Sequence, residues 1–213
     1  MRKMLKISTR DLRYVAIVAI FTTILTSSIV YVILNPQPTE GFFAMDILGQ
    51  NGLAEHYFPA DDPNVTIGAS INWSIGVYNH MGSLEYVVVS VKLLNSSSPG
   101  PDGTTGTPSP IPQLLDFRKV LADNETWNIP FTWIIENATQ KGNSISITGI
   151  SINQTEFKGN FVTAVSGYNY RFLFELWFYD QDTQNLTFSW NSMGIQRSVW
   201  NQLWFNVTST STK

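Results

Sequence analysis

Beyond residue 41 the apolar positions of this chain fall on every second residue, and clusters of Gly, Pro, Asn and Asp interrupt the alternation. The longest run is Val65, Ile67, Ala69, Ile71, Trp73, Ile75 and Val77, with Asn72, Ser74 and Gly76 between them. A period of two sends alternate side chains to opposite faces of a strand. This run therefore predicts one long strand, or two joined by a bulge or bend near Gly68. Further strands are predicted at Phe42–Leu48, Glu85–Leu94, Leu114–Leu121, Thr126–Glu136, Ser144–Ile152, Phe157–Val165, Tyr170–Tyr179, Leu186–Trp190 and Trp200–Val207. Pro130 has no N–H for a ladder, which predicts an edge position or a bulge there. Ile145 and Ile147 are followed by Ile150 and Ile152, a one-residue phase slip around Gly149. Arg171 and Glu175 share parity with Leu173 and Trp177, which predicts an outward-facing pair. Asn95–Pro112 holds five Pro and three Gly and reads as a mobile surface loop or low-complexity insert. No stretch after residue 34 sustains a 3.6-residue period. Many short strands separated by turns predict an all-β fold, an antiparallel Ig-like β-sandwich over residues 42–208.

The start of the chain follows another pattern. Tyr14–Leu34 carries no charged side chain. At about 1.5 Å per residue it spans ~31 Å, the thickness of a bilayer core. Arg2, Lys3, Lys6, Arg10 and Arg13 precede it against one acid, Asp11, and no basic residue follows before Lys92. That asymmetry predicts a single transmembrane helix, with a cytoplasmic basic segment 1–13 and an extracellular C-terminal domain at the cell membrane. A linker 35–41 and a tail 209–213 complete the plan. A cleaved signal peptide is the rival reading. The apolar run is longer than the usual h-region and no small-x-small site follows it, so an uncleaved signal-anchor is expected. Hydroxyls at Thr22, Thr23, Thr26, Ser27 and Ser28 are expected to bond back to helix carbonyls, or to face another helix.

Composition narrows the function classes. Residues 41–213 carry 8 Lys/Arg against 14 Asp/Glu, an acidic balance that repels nucleic acid. The chain has no cysteine, so an exported domain must hold together by packing alone. Eight Asn-x-Ser/Thr motifs all lie beyond the apolar segment, at Asn64, Asn72, Asn95, Asn124, Asn137, Asn153, Asn185 and Asn206. They predict N-linked glycans on an exposed surface. Most fall in or beside predicted turns, and Asn72 falls on the polar face of its strand.

Little here points to catalysis. The two histidines, His56 and His80, do not make a zinc set without cysteine, and no HExxH, GxSxG, Walker or Rossmann pattern occurs. No catalytic, cofactor-binding or metal-binding residue is assigned, and no cofactor is expected. Two oxygen-rich turns, Asp61, Asp62 and Asn64, and Asp180, Asp182 and Gln184, are weak Ca²⁺ candidates. Trp73, Trp127, Trp133, Trp177, Trp190, Trp200 and Trp204 suit either a sugar-stacking platform or a sandwich core, with Trp73 and Trp177 fitting the core.

Leu48–Phe58 (LGQNGLAEHYF), Gly68–Leu93, Leu121–Trp133 (LADNETWNIPFTW) and Tyr168–Asp180 (YNYRFLFELWFYD) resemble the archaeal DUF1616 family over most of residues 42–180. The resemblance implies an extracytoplasmic Ig-like or fibronectin-like module with no assigned reaction. A basic start, one apolar helix and a glycosylated β domain are also similar in architecture to archaeal pilins and archaellum-accessory proteins. The function expected is a non-enzymatic, membrane-anchored structural or protein-interaction module whose partners are cell-envelope or membrane proteins. The alternatives are an accessory subunit of a membrane enzyme or transporter, or a carbohydrate-binding domain. Contact is expected where sequons are absent, between Phe157 and Asp182 or along the sheet edge at Leu114–Leu121.

Overall fold

The computed structural model describes residues 9–35 and 40–208. Most of the basic segment, residues 36–39 of the linker and the tail 209–213 lie outside the described residues. The chain divides into two units, Met1–Thr39 and Glu40–Lys213.

The first unit is one α-helix, α1 (Thr9–Leu34). Its apolar stretch, Leu12–Leu34, has a mean hydropathy of 2.3. The hydroxyls inside it do not compete with the helix. Thr22, Thr23, Thr26 and Ser28 each donate to the carbonyl four residues earlier, at 2.8–2.9 Å. This back-bonding removes the cost of placing hydroxyls in hydrocarbon.

The second unit is a β-sandwich. One sheet has the order β1-β3-β6-β7-β8 and the other β2-β13-β9-β4-β5, with β10 beside the end of β9. The strands are β1 (Phe42–Leu48), β2 (Asn64–Thr66), β3 (Ser70–His80), β4 (Glu85–Asn95), β5 (Leu115–Leu121), β6 (Thr126–Lys141), β7 (Ser144–Ile152), β8 (Thr155–Val165), β9 (Tyr170–Asp180), β10 (Asn185–Thr187) and β13 (Trp200–Thr208). A small hairpin, β11 (Ser189–Ser192) with β12 (Ile195–Ser198), stands apart from both sheets. The long alternating run is two strands in different sheets, β2 and β3. The break falls at Gly68, whose φ of 85° suits a residue without a side chain. All pairings are antiparallel except β2 with β13.

Two irregularities in the apolar pattern have physical counterparts. The isoleucine phase slip in β7 coincides with a register shift between Ile147 and Gly149. The extra residue keeps Ile145, Ile147, Ile150 and Ile152 all buried. Pro130 lies inside β6, a central strand, and not at the sheet edge. The Thr132 N–H and the carbonyls of Pro130 and Thr132 all bond Asn153, just past the end of β7. The missing proline N–H therefore faces a side of β6 that β7 has already left.

The core lies between the sheets. Trp73, Phe131 and Trp133 from the first sheet meet Phe172, Phe174 and Phe205 from the second. Trp133 stands 5.0 Å from Phe172 and 4.9 Å from Phe205, centroid to centroid. Such tilted and edge-on contacts each add to what burial supplies. Tyr170 is fully buried and donates its hydroxyl to the Ile145 carbonyl at 2.5 Å. Burial pushes its phenol up to about 12. The folded state thus favours the neutral phenol over an unfolded value of about 10. Stability from this group should be complete below pH ~10 and drain away as the pH rises towards about 12. A spectroscopic tyrosine titration of the full chain in detergent should show a late-ionising phenol that titrates with unfolding. Ionisation of every tyrosine at the ordinary value with the fold intact would contradict this.

Candidate functional surface

The two outer faces of the sandwich differ in kind. The outer face of the first sheet is solvent-facing and rich in Ser, Thr and Asn. The outer face of the second is covered, because Asn95–Pro112 lies across β4 and β9. Val88, Leu94 and Leu173 are buried on that side. Strands buried on both faces read as continuous apolar runs, which explains the sequences of β4 and β9.

Charge holds this cover down. Arg171 and Glu175 do face outward as their parity predicts, but they are buried and do not pair with each other. Lys92 Nζ lies 2.8 Å from Glu175 Oε2 and donates to the Ser109 carbonyl at 2.6 Å. The Ser109 N–H donates to Glu175 Oε1 at 2.7 Å, and Trp177 Nε1 donates to Oε2 at 3.3 Å. Arg171 donates to the Ser98 carbonyl and to Gln202 Oε1, both at 2.7 Å. Its guanidinium lies 4.7 Å from the ring centre of Trp204, a cation–π distance. The segment read above as a mobile loop is thus fastened at Ser98 and Ser109 to three buried charges. The arrangement satisfies charges inside the protein. It presents no open site around them.

The sequon asparagines all reach the surface. Asn64, Asn72, Asn124, Asn137, Asn153 and Asn185 are exposed, and Asn95 and Asn206 are half-buried. Asn137, expected beside a turn, lies within β6 at a register shift opposite Gly149. The pairing of β2 with β13 brings Asn64 and Asn206 side by side, with Asn206 Nδ2 donating to Asn64 Oδ1 at 3.0 Å.

The remaining candidates stay apart. His56 Nδ1 lies 2.8 Å from Asp61 Oδ1 in an exposed loop, and the hydrogen bond to Asp61 holds the imidazole above its ordinary value. His80 sits elsewhere, stacked on Tyr78 and bonded through Nδ1 to Asn124 Oδ1. The two oxygen-rich turns use their carboxylates on themselves. Asp62 Oδ1 accepts from both the backbone and side-chain nitrogens of Asn64, and Asp180 Oδ1 accepts from the Asp182 N–H. Among the described residues no three His, Asp or Glu side chains converge on one point. Trp73 belongs to the core as expected and Trp133 joins it, but Trp177 lies on the outer side of β9 beside Glu175, and Trp200 and Trp204 are 37% and 38% exposed on the outer face of β13. One structural residue escaped the sequence reading. Asn79 is fully buried, and its Nδ2 donates to the Ser83, Leu121 and Ala122 carbonyls. It ties the β3–β4 turn to the end of β5, and only its place before His80-Met81-Gly82 hinted at a turn.

A largely apolar concavity opens between residues 111–114 and β8. This groove of about 300 Å³ is lined by Leu93, Ile111, Leu114, Phe157 and Phe161. It joins parts of the two sequon-free stretches singled out from the sequence. The β8 edge beside it is blunted by a register shift between Lys158 and Val162 and by Asn95 Nδ2, which donates to the Thr163 carbonyl at 2.7 Å. Both devices discourage uncontrolled strand addition.

No protein-family model matches the chain, so none supports the resemblance to DUF1616. No curated protein matches it either. Among solved structures, the CARDB domain of the PF1109 protein of Pyrococcus furiosus, in complex with di-metal ions, is similar over 79% of this chain and 94% of its own, at 11% identity and a TM-score of 0.36. A β-glucosidase from Listeria innocua, in complex with glucose, is similar over 78% of this chain at 9% identity and a TM-score of 0.37. A β-glucosidase from Erythrobacter marinus is similar over 79% at 10% identity and 0.34. The likeness spans only 16% of each β-glucosidase chain. At such scores none of these likenesses bears on function, and the sandwich stands on its own strand pairing.

Proposed function

We propose that this protein is a single-pass, membrane-anchored module of the cell surface, with its N-terminus in the cytoplasm, its sandwich outside and no reaction of its own. It serves a structural or protein-interaction role towards envelope or membrane proteins. The observation that carries this reading is the combination of an apolar helical stretch, Leu12–Leu34, uncharged from Tyr14 onward, with a β domain whose sequon asparagines all reach the surface. The basic residues before Tyr14 support the orientation. The buried ionisable groups support a scaffold, because they hold a loop down and do not surround a cavity. The apolar groove between residues 111–114 and β8 is the surface favoured for contact.

Mild extraction of native membranes, followed by affinity capture of the full chain, should recover a stoichiometric envelope partner that is lost in an F157E/F161E variant. Recovery of the protein alone would argue against an interaction role. The accessory-subunit reading places the contact in the membrane instead. It requires that a T22L/T26L/S27L variant release the partner, and the inward hydroxyl bonding of α1 favours unchanged capture.

A further inference from the structure

Eight sequons need not be eight equal acceptors. Glycan transfer forms a bond between Asn Nδ2 and the anomeric carbon of a sugar. The bond from that carbon to the phosphate oxygen of a lipid-linked oligosaccharide breaks, the lipid phosphate leaves with the electron pair, and Nδ2 gives up one proton. The amide must be free to turn towards the transferase, and the product must fit the folded domain.

Asn153 commits its whole carboxamide to the sheet. Its Oδ1 accepts from the Thr132 N–H at 2.8 Å, and its Nδ2 donates to the Pro130 carbonyl at 2.7 Å. Its backbone N–H donates to the Thr132 carbonyl at 2.8 Å. Strand β7 ends at Ile152, so the side chain of Asn153 completes the ladder on β6 where no further strand residue does. The residue holds a φ of 47° to make this reach, a conformation asparagine tolerates better than most residues.

Asn72 and Asn137 are built differently. Asn72 Oδ1 accepts from Thr132 Oγ1 at 2.8 Å, which turns its Nδ2 away from β6. Asn137 stands at a bulge opposite Gly149, where a Cβ would lie 3.1 Å from its Nδ2. The glycine leaves that amide its room, and the bulge re-aims the side chain. Neither Nδ2 bonds to a described residue, and both residues are exposed. The other five sequon amides each donate one bond, to Asp62, Thr163, Asp123, Thr183 and Asn64.

We propose that Asn72 and Asn137 are glycan acceptors and that Asn153 is a structural residue whose sequon stays unmodified. The proposal rests on the exported, membrane-anchored reading above. It makes the outer face of β3, β6 and β7 the glycan-bearing face, which leaves the groove beside β8 for protein contact.

Glycopeptide mass spectrometry on the full chain, purified from the membranes of the organism that makes it, tests the assignment. Glycans on Asn72 and Asn137 with Asn153 bare are expected. Glycan on Asn153 at comparable occupancy, or Asn72 and Asn137 bare while other sequons are filled, overturns the assignment and leaves the exported reading standing. No glycan at any sequon overturns both. The structural half is tested separately on full chain made without glycans. N153A should lower Tm by roughly 5 °C, and N72A and N137A by under about 2 °C. Equal shifts in the three variants overturn the structural role of Asn153.

Discussion

Replacing Glu175 by glutamine is expected to cost about 3–5 kcal/mol, because it leaves Lys92 charged and buried without a counter-ion. Lys92 and Glu175 are 7% and 0% exposed at their side chains, so water does not take the place of the lost carboxylate. The carboxylate also receives the Ser109 N–H and Trp177 Nε1, and glutamine retains only one good acceptor. Urea unfolding of the full chain in detergent measures the loss. Hydrogen exchange should show the amides between Ser98 and Ser109 losing protection before the sheets do, since the cover is fastened through this cluster. A K92M/E175L double variant should recover much of the loss, because apolar groups of similar volume replace a buried ion pair at little cost. If E175Q unfolds within about 0.5 kcal/mol of wild type, with loop protection unchanged, the cluster does not hold the cover.

Truncation of Trp133 to alanine should cost about 3–5 kcal/mol and can unfold the domain outright. Trp133 is fully buried and touches Trp73, Phe172 and Phe205, so its loss opens a cavity that spans both sheets. Its Nε1 has no hydrogen-bond partner among the described residues. W133F removes that unsatisfied donor along with some area, and should cost well under half as much as W133A. W204A, at the exposed face of β13, should cost under about 1.5 kcal/mol, mainly through the stacked Arg171. Thermal unfolding of the three variants orders them, and W204A matching W133A would contradict this account of the core.

How much of this was legible depends on how local the cause is. The isoleucine slip in β7 showed a bulge directly, because a period-two pattern records the face of each side chain. Gly68 showed a break, but not that β2 and β3 would join different sheets. That outcome depends on the pairing of β2 with β13, about 140 residues away. The parity of Arg171 and Glu175 was read correctly, and their burial was not. Their cover is a Pro- and Gly-rich segment with almost no apolar side chain, held by backbone atoms of Ser98 and Ser109 that carry no residue signature. Pro130 misled for a similar reason. A proline is confined to one open side of a strand, and β6 has such a side only because β7 stops short. The sequons were readable as motifs, but their differences lie in which backbone groups their amides meet, and composition does not record that.

The double-sided burial of β4 has a consequence for how the chain is made. Its partner β9 leaves the ribosome about 80 residues later, an interval of roughly 4–16 s at ~5–20 residues per second. Through that interval β4 stands open on one edge, and its cover lacks the fastening charges Arg171 and Glu175 that β9 brings. The nascent module is then at its most adhesive, and a chaperone that shields the open edge of β4 has that window in which to work.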